Sequence, residues 1–377
     1  MTQSGEMQKV TSRPIFVVGS PRSGTSILTW CLGQHPNIFP VPESSWMGDF
    51  AINIAIAYQI GAARGERSML SAMDIREDEL FALFGQSIND LIMRHRKDLP
   101  WFKGTSTASE PKGRCVDGTP EYSLHICGLR KLFPEALFIH IFRDVTSVVR
   151  SMLHFHHVSG QSLVANVHEA YSYWLRTVSR CLLAERAYGP NVVFRIRHSD
   201  LVGAPEATLR SVFHFLSEPF APECLEPLAQ RINSSNVPPD FEIDDREVDP
   251  SLIEQVRRLC REVEEGSQPL EASAAAIEEI ESAFDERVQF MANLPKENQR
   301  ITARAARLAT EVKKKSAIIQ RLRASRRHSN WFRYLFRALP KAFQRRKKIK
   351  ETHSKQMDDP AVSLTNSNQP NDIDWKT

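Results

Sequence analysis

Residues 21 to 26, Pro-Arg-Ser-Gly-Thr-Ser, crowd one cation and three hydroxyls around a glycine. They follow four apolar residues, Ile15 to Val18, and a first glycine, Gly19. The apolar run Ser26-Ile-Leu-Thr-Trp-Cys-Leu comes next. The first run predicts a short buried strand and the second a helix from 26 to 34. A strand, a glycine turn and a helix N-terminus form an anion cradle, because loop amides converge there and the helix dipole favours negative charge. Gly19 and Gly24 have the spacing of a nucleotide P-loop, but Thr25-Ser26 stand where a P-loop has Lys followed by Ser or Thr. The lysine that reaches β and γ phosphates is missing, and Arg22 lies inside the loop instead. That combination points to an anion without a γ-phosphate. The competing reading is an ordinary strand-to-helix turn.

Two further positions could act with this loop. Leu137 to Phe142 reads as a second buried strand, closed by Arg143-Asp144, and Ser151 follows eight residues after Arg143 in a helix-like run from Val145 to Leu153. Arginine brings a planar fork of donors and serine a hydroxyl, a pair suited to a phosphate monoester. Arg143 would sit at a strand's C-terminal end, where open α/β sheets bind ligands; an ion pair with Asp144 is the structural alternative. Glu43 lies 21 residues after Arg22, just past Pro42. A carboxylate there can serve as a general base, or it can simply favour the first turn of the next helix.

Pro21-Arg-Ser-Gly-Thr-Ser26 resembles the 5′-phosphosulfate loop of sulfotransferases, enzymes that use 3′-phosphoadenosine 5′-phosphosulfate (PAPS). The resemblance covers about residues 14 to 240 and is nearest to the bacterial-type, tyrosylprotein and carbohydrate branch. It implies that Arg22, Ser23, Gly24, Thr25 and Ser26 cradle the 5′ side, that Arg143 and Ser151 grip the 3′-phosphate, and that Glu43 is the base. Ile232-Asn-Ser234-Ser235 is similar to a late cofactor contact, through Ser234. Arg197-His198-Ser-Asp200-Leu201 resembles the family's Arg-Tyr-Glu-Asp-Leu, with His198 for Tyr and Ser199 for Glu. Asp117-Gly118-Thr-Pro120 is similar to an Asp-Lys-Thr-Pro element near the acceptor, with Gly118 for Lys. The implied activity is transfer of the sulfuryl group of PAPS to a hydroxyl, on a cell-surface carbohydrate or glycoconjugate, without a metal. The alternative is a P-loop-derived nucleotide-binding scaffold without turnover, which would bind PAPS but transfer no sulfate.

These residues need a rigid frame. The strand signals at 15 to 18, 137 to 142 and 192 to 196 alternate with helical stretches at 78 to 97, 165 to 187, 205 to 216 and 251 to 265. That alternation predicts an α/β fold with a P-loop-like central parallel sheet flanked by helices. Residues 101 to 119 and 238 to 250 read as connecting loops, and 267 to 293, rich in Ala and Glu, as helix. Hydrophobic residues make up 41% of the 377, which places the chain among ordinary globular proteins able to bury a large core. Six scattered cysteines without a C-x-x-C pair, and a polar N-terminus without an apolar core, predict a cytoplasmic protein.

The net charge of +4 conceals a division. Residues 296 to 350 carry +17, residues 351 to 377 carry −3, and residues 1 to 295 carry −10. The expected organisation is a sulfotransferase domain over 1–295, a basic helical arm over 296–350 and a disordered tail over 351–377. In the arm, Ala305, Val312 and Ile319 share one heptad position, and Ile301, Leu308, Lys315 and Leu322 the other. This pattern suits a short two-stranded coiled coil, hence a homodimer through 301–322, although Lys315 interrupts the seam. A lone helix packed on the body is the alternative. Trp331 to Phe343 places rings on one face with Arg333, Arg337 and Lys341 at helical spacing, as in helices on anionic membrane surfaces. Peripheral contact with the inner face of a membrane is therefore expected. The run Gln344-Arg-Arg-Lys-Lys348 offers nonspecific phosphate affinity only, because no nucleic-acid recognition motif accompanies it.

Overall fold

The computed structural model describes residues 13–96, 113–229 and 237–328. Ser234 and the Trp331 to Phe343 segment lie outside the described residues, as do most of the 101 to 119 loop and the tail. The chain divides into two units, Met1–Lys296 and Glu297–Thr377.

The first unit is built on five parallel strands: β1 (Ile15–Val18), β2 (Ile38–Val41), β3 (Arg114–Asp117), β4 (Leu137–Phe142) and β5 (Val193–Arg197). Their spatial order is β2-β3-β1-β4-β5. All residues of β1, β3 and β4 are buried, as expected where helices cover both faces of a parallel sheet. The side chains of β1 still alternate: Phe16 and Val18 enter one core cluster, Ile15 and Val17 another.

Among the described residues there are twelve α-helices. The first five are α1 (Thr25–Gly33), α2 (Trp46–Ala62), α3 (Met69–Ala72), α4 (Glu77–His95) and α5 (Ile126–Leu132). The next five are α6 (Val145–Leu153), α7 (His156–Ser159), α8 (Val167–Tyr188), α9 (His198–Gly203) and α10 (Pro205–Leu216). The last two are α11 (Pro250–Glu265) and α12 (Ala274–His328). On the Phe16 side, α2, α4, α5 and the start of α12 form the cover, with Ala276, Ile280, Phe284 and Val288 of α12 buried at four-residue spacing. On the Ile15 side α1 and α10 do the same. A third cluster joins α6, α8 and α11 around Trp174.

The expected spans of β1, β4, α6 and α10 agree with the structure to the residue. β2 and β3 have no counterpart among the expected strands, and 114–117, expected within a loop, is the strand next to β1. Among the described residues no helix is long and apolar enough to cross a membrane. In the second unit α12 continues as helix, and residues 300–321 are exposed on every side, Ile301, Leu308, Val312 and Ile319 included.

Candidate active site

Every strand of this sheet delivers a chemically able residue at its C-terminal end. The glycine loop follows β1, Glu43 follows β2, Asp117 ends β3, Arg143 follows β4 and His198 follows β5. The edge lies where the connections diverge, since β1 has β3 on one side and β4 on the other; crevices of open α/β sheets form at such points.

The loop has the backbone its glycines foretold. Gly24 is at φ 109°, and an added Cβ would stand 2.8 Å from the His198 ring. Arg22, a residue with a full side chain, is held at φ 71°. Such left-handed conformations persist where surroundings enforce them, and they gather at binding sites. Gly24 caps α1 without a side-chain hydrogen bond, and the first turn of α1 holds no acid. The positive end of that helix is thus left for an anion from elsewhere. Ser20 and Ser23 are buried in the same loop, and their hydroxyls have no hydrogen-bond partner among the described residues.

Two guanidiniums meet here. Arg143 donates from Nη1 to the backbone oxygen of Arg22 at 3.1 Å, and Arg22 donates from Nε to Ser151 Oγ at 3.2 Å. The Arg22 guanidinium also lies over the Phe155 ring, 4.7 Å from its centre. Burial lowers the Arg22 pKa, the neighbouring Arg143 charge lowers it further, and Glu43 opposes both. Arg143 is lowered by burial and raised by Asp144. Asp144, though adjacent, caps α6 by accepting from Ser147 N at 2.8 Å. The structural reading of Arg143 as no more than Asp144's partner therefore does not account for its place against the loop. His198 is lowered to about 4, by burial and then by the Arg143 charge, so its imidazole is neutral at pH 7.

The acidic residues at this edge come from the ends of β2 and β3. Glu43 Oε1 accepts from Ser26 Oγ at 3.1 Å. Surrounding protein pushes the Glu43 carboxyl upward; the Ser26 hydrogen bond opposes this, Glu121 adds to it and Arg22 opposes it. One side of Glu43 stays open to water, which weakens the push without reversing it. Asp117, 2% exposed, is raised to about 7 by burial; hydrogen bonds from Thr119 oppose the rise, and the charges of Glu43 and Glu121 add to it. Gly118 passes so close to α1 that a Cβ would lie 2.1 Å from Thr29 Oγ1, which explains why no longer side chain stands there. Among the described residues no cluster of His, Cys, Asp or Glu is arranged to hold a metal ion.

A carboxyl raised this way makes stability depend on pH. The Asp117 contribution is present in full below the unfolded value of about 3.9 and is lost as pH rises through about 7. Between pH 4 and pH 8 the wild type should therefore lose on the order of 2–4 kcal/mol more than Asp117→Asn does. Urea unfolding of both proteins at the two pH values measures this; parallel pH slopes would refute it.

Hydrogen bonds thus join Arg22 to Ser151 and Arg143, and Ser26 to Glu43, at the C-terminal edge of the sheet, with Ser23, Gly24 and Thr25 in the same loop and first helical turn. The resemblance puts the Asp117-Gly-Thr-Pro120 element near the acceptor but assigns no individual role to Asp117, Thr119 or Tyr122, which line the same edge. Their signal was the Asp-Gly-Thr-Pro element itself, whose position became meaningful only once 114–117 proved to be a strand.

Residues 14–222 match the family described as the sulfotransferase family. That span exceeds half of the chain, and the chain belongs to this family. Protein-tyrosine sulfotransferase 1 of Danio rerio is 22% identical over 210 residues, 55% of this chain and 53% of that protein. An uncharacterised protein of Aquifex aeolicus (strain VF5) is 22% identical over 223 residues, 57% of this chain and 27% of that one. The chain spans about half or less of the length of these two curated relatives. Among solved structures, the sulfotransferase domain from the curacin biosynthetic pathway aligns at 18% identity with a TM-score of 0.39, covering 73% of this chain and 98% of that chain.

Proposed function

We propose that this protein transfers the sulfuryl group of PAPS to a hydroxyl of a carbohydrate or glycoconjugate acceptor. The reading is carried by one observation: an open helix N-terminus, two guanidiniums and an upward-shifted carboxylate converge at one edge of the sheet. The loop geometry, the hydroxyls of Ser20 and Ser23, which have no partner among the described residues, and the Arg22–Arg143 juxtaposition fit a nucleotide with phosphate at both its 5′ and 3′ positions. PAPS, when bound, supplies the sulfuryl group and a phosphate leaving group. The loop amides with Ser23, Gly24, Thr25 and Ser26 hold the 5′ side, and Arg22 offsets charge there. Arg143 and Ser151 hold the 3′-phosphate. Glu43 accepts the acceptor's hydroxyl proton; its raised pKa brings it nearer to the operating pH, where a base is most effective.

Incubation with ³⁵S-labelled PAPS and fractionated cell extract tests the whole reading. Label in a carbohydrate-bearing product is the expected result. Label in protein tyrosine would change the acceptor class, and PAPS binding without any transfer would favour a scaffold without turnover.

The basic arm is read as a cytoplasmic-side contact for an anionic membrane surface, with self-association through 301–322 as its second role. Each basic side chain near anionic lipid contributes up to about 1 kcal/mol, so binding to anionic vesicles should weaken with salt. It should vanish when the chain is cut after Leu294, while PAPS binding survives. Loss of PAPS binding by the cut chain, with its circular dichroism unchanged, would show that the arm completes the site instead.

A further inference from the structure

We infer that Thr119 and Tyr122 are positioning residues for Glu43, acting through the backbone of Ser44. The inference rests on the reading of Glu43 as the base. Glu43 lies in the short connection between β2 and α2, with one face open to water. Among the described residues that connection has no strand partner, and Ser45, at the N-cap of α2, makes no capping hydrogen bond through its side chain. Left to itself such a segment samples many conformations, and a base displaced by about 1 Å can cost on the order of 10²-fold in rate.

The backbone of the next residue, Ser44, is instead held at both its N–H and its carbonyl. Ser44 N donates to Thr119 Oγ1 at 2.8 Å, and Tyr122 Oη donates to the Ser44 carbonyl. Both holders are anchored in the core. Thr119 is 1% exposed, and its hydroxyl donates to Asp117 Oδ1 at 2.6 Å, while its backbone N–H donates to the same oxygen at 2.9 Å. Because the single hydroxyl proton is committed to Asp117, the lone pairs of Oγ1 face the Ser44 amide as acceptor. The Tyr122 ring is fully buried, edge-on to Phe16 of β1 at 5.7 Å. The bracket thus transmits the rigidity of β1 and β3 to the residue beside Glu43.

The experiment uses the full chain with Thr119→Val, Thr119→Ser and Tyr122→Phe, each alone, and Thr119→Val also with Glu43→Gln. Deuterium uptake at the Ser44 amide reads the bracket directly. Thr119→Val should speed it at least about tenfold by removing the acceptor, and Thr119→Ser should not. Sulfuryl transfer from ³⁵S-labelled PAPS to the extract fraction that accepts label reads the consequence. Thr119→Val should lower turnover about 10–100-fold with PAPS affinity unchanged, Tyr122→Phe should lower it about tenfold, and Thr119→Ser should restore it. In the Glu43→Gln background Thr119→Val should cost nothing further, since residues acting through one group are not additive. If Thr119→Val frees the amide yet turns over like the wild type, or if its loss persists in full without the Glu43 carboxylate, the inference is wrong. If Glu43→Gln itself retains full turnover, the base reading fails and takes this inference with it. Turnover lost in Glu43→Gln but kept in both Thr119→Val and Tyr122→Phe overturns the inference alone.

Discussion

Glu43→Gln is expected to lower turnover about 10²–10⁴-fold while leaving PAPS affinity near that of the wild type. The substitution keeps side-chain length and the contact with Ser26, whose hydroxyl can donate to an amide oxygen as it does to the carboxylate at 3.1 Å. It removes the ability to take a proton, together with the negative charge that partly offsets the neighbouring Arg22. Arg22, Arg143 and Ser151 contact one another without Glu43, so the nucleotide side of the crevice should not change. The pH dependence has a definite sign. A base must be deprotonated, and the surroundings of Glu43 hold its carboxyl above the ordinary value. Turnover should therefore rise with pH along a limb centred above the usual glutamate value of about 4.3 and level off beyond it. The limb should be absent from whatever turnover the variant retains. Full turnover by Glu43→Gln, measured where chemistry limits the rate, would show that Glu43 only favours the start of α2 and that the base lies elsewhere.

The sequence exposed one half of this site far better than the other. The cationic half is local: Arg22 and its glycines sit within six residues, and Arg143 and Ser151 are one strand end and two helical turns apart. Each was legible because a fully buried parallel strand reads as an apolar run: Ile15 to Val18 is unbroken, and Leu137 to Phe142 is interrupted only by His140. The acidic half depends on β2 and β3, whose sequences are Ile-Phe-Pro-Val and Arg-Cys-Val-Asp. Pro40 argues against a strand, and here it is tolerated because β2 is an edge strand paired only with β3. Arg114 and Asp117 disguise β3 as polar; both are buried, Arg114 by pairing with Glu218 at 3.0 Å and Asp117 by its bonds from Thr119. His140 is a similar case: it stands mid-strand in β4 and is met by Glu185 at 2.6 Å across 45 residues of sequence. No periodicity predicts partners that far apart, so side chains that look wrong for a core become readable only when the fold supplies the second residue.

Arg143→Ala should remove most of the discrimination between PAPS and adenosine 5′-phosphosulfate, which differ only in the 3′-phosphate. A lost charge-assisted pair to a phosphate costs about 2–4 kcal/mol, or roughly 30- to 1,000-fold in affinity. The affinity for adenosine 5′-phosphosulfate should fall much less, because that ligand meets mainly the loop. Some decline is still expected, since Arg143 Nη1 also steadies the Arg22 carbonyl at 3.1 Å. Arg143→Lys separates charge from geometry: it keeps the cation but not the planar fork, so it should recover only part of the preference. A second reporter lies beside the first. The Arg143 charge helps to hold His198 at about 4, so its removal should let the imidazole titrate at higher pH, by an amount that nuclear magnetic resonance of the ring protons can follow. Burial, the larger cause, remains, so the shift should be partial. Calorimetry of the wild type showing equal affinity for the two nucleotides would remove Arg143 and Ser151 from the 3′ position. A preference left intact in Arg143→Ala, with His198 shifted upward, would keep the electrostatics of the crevice and transfer the phosphate contact to another donor.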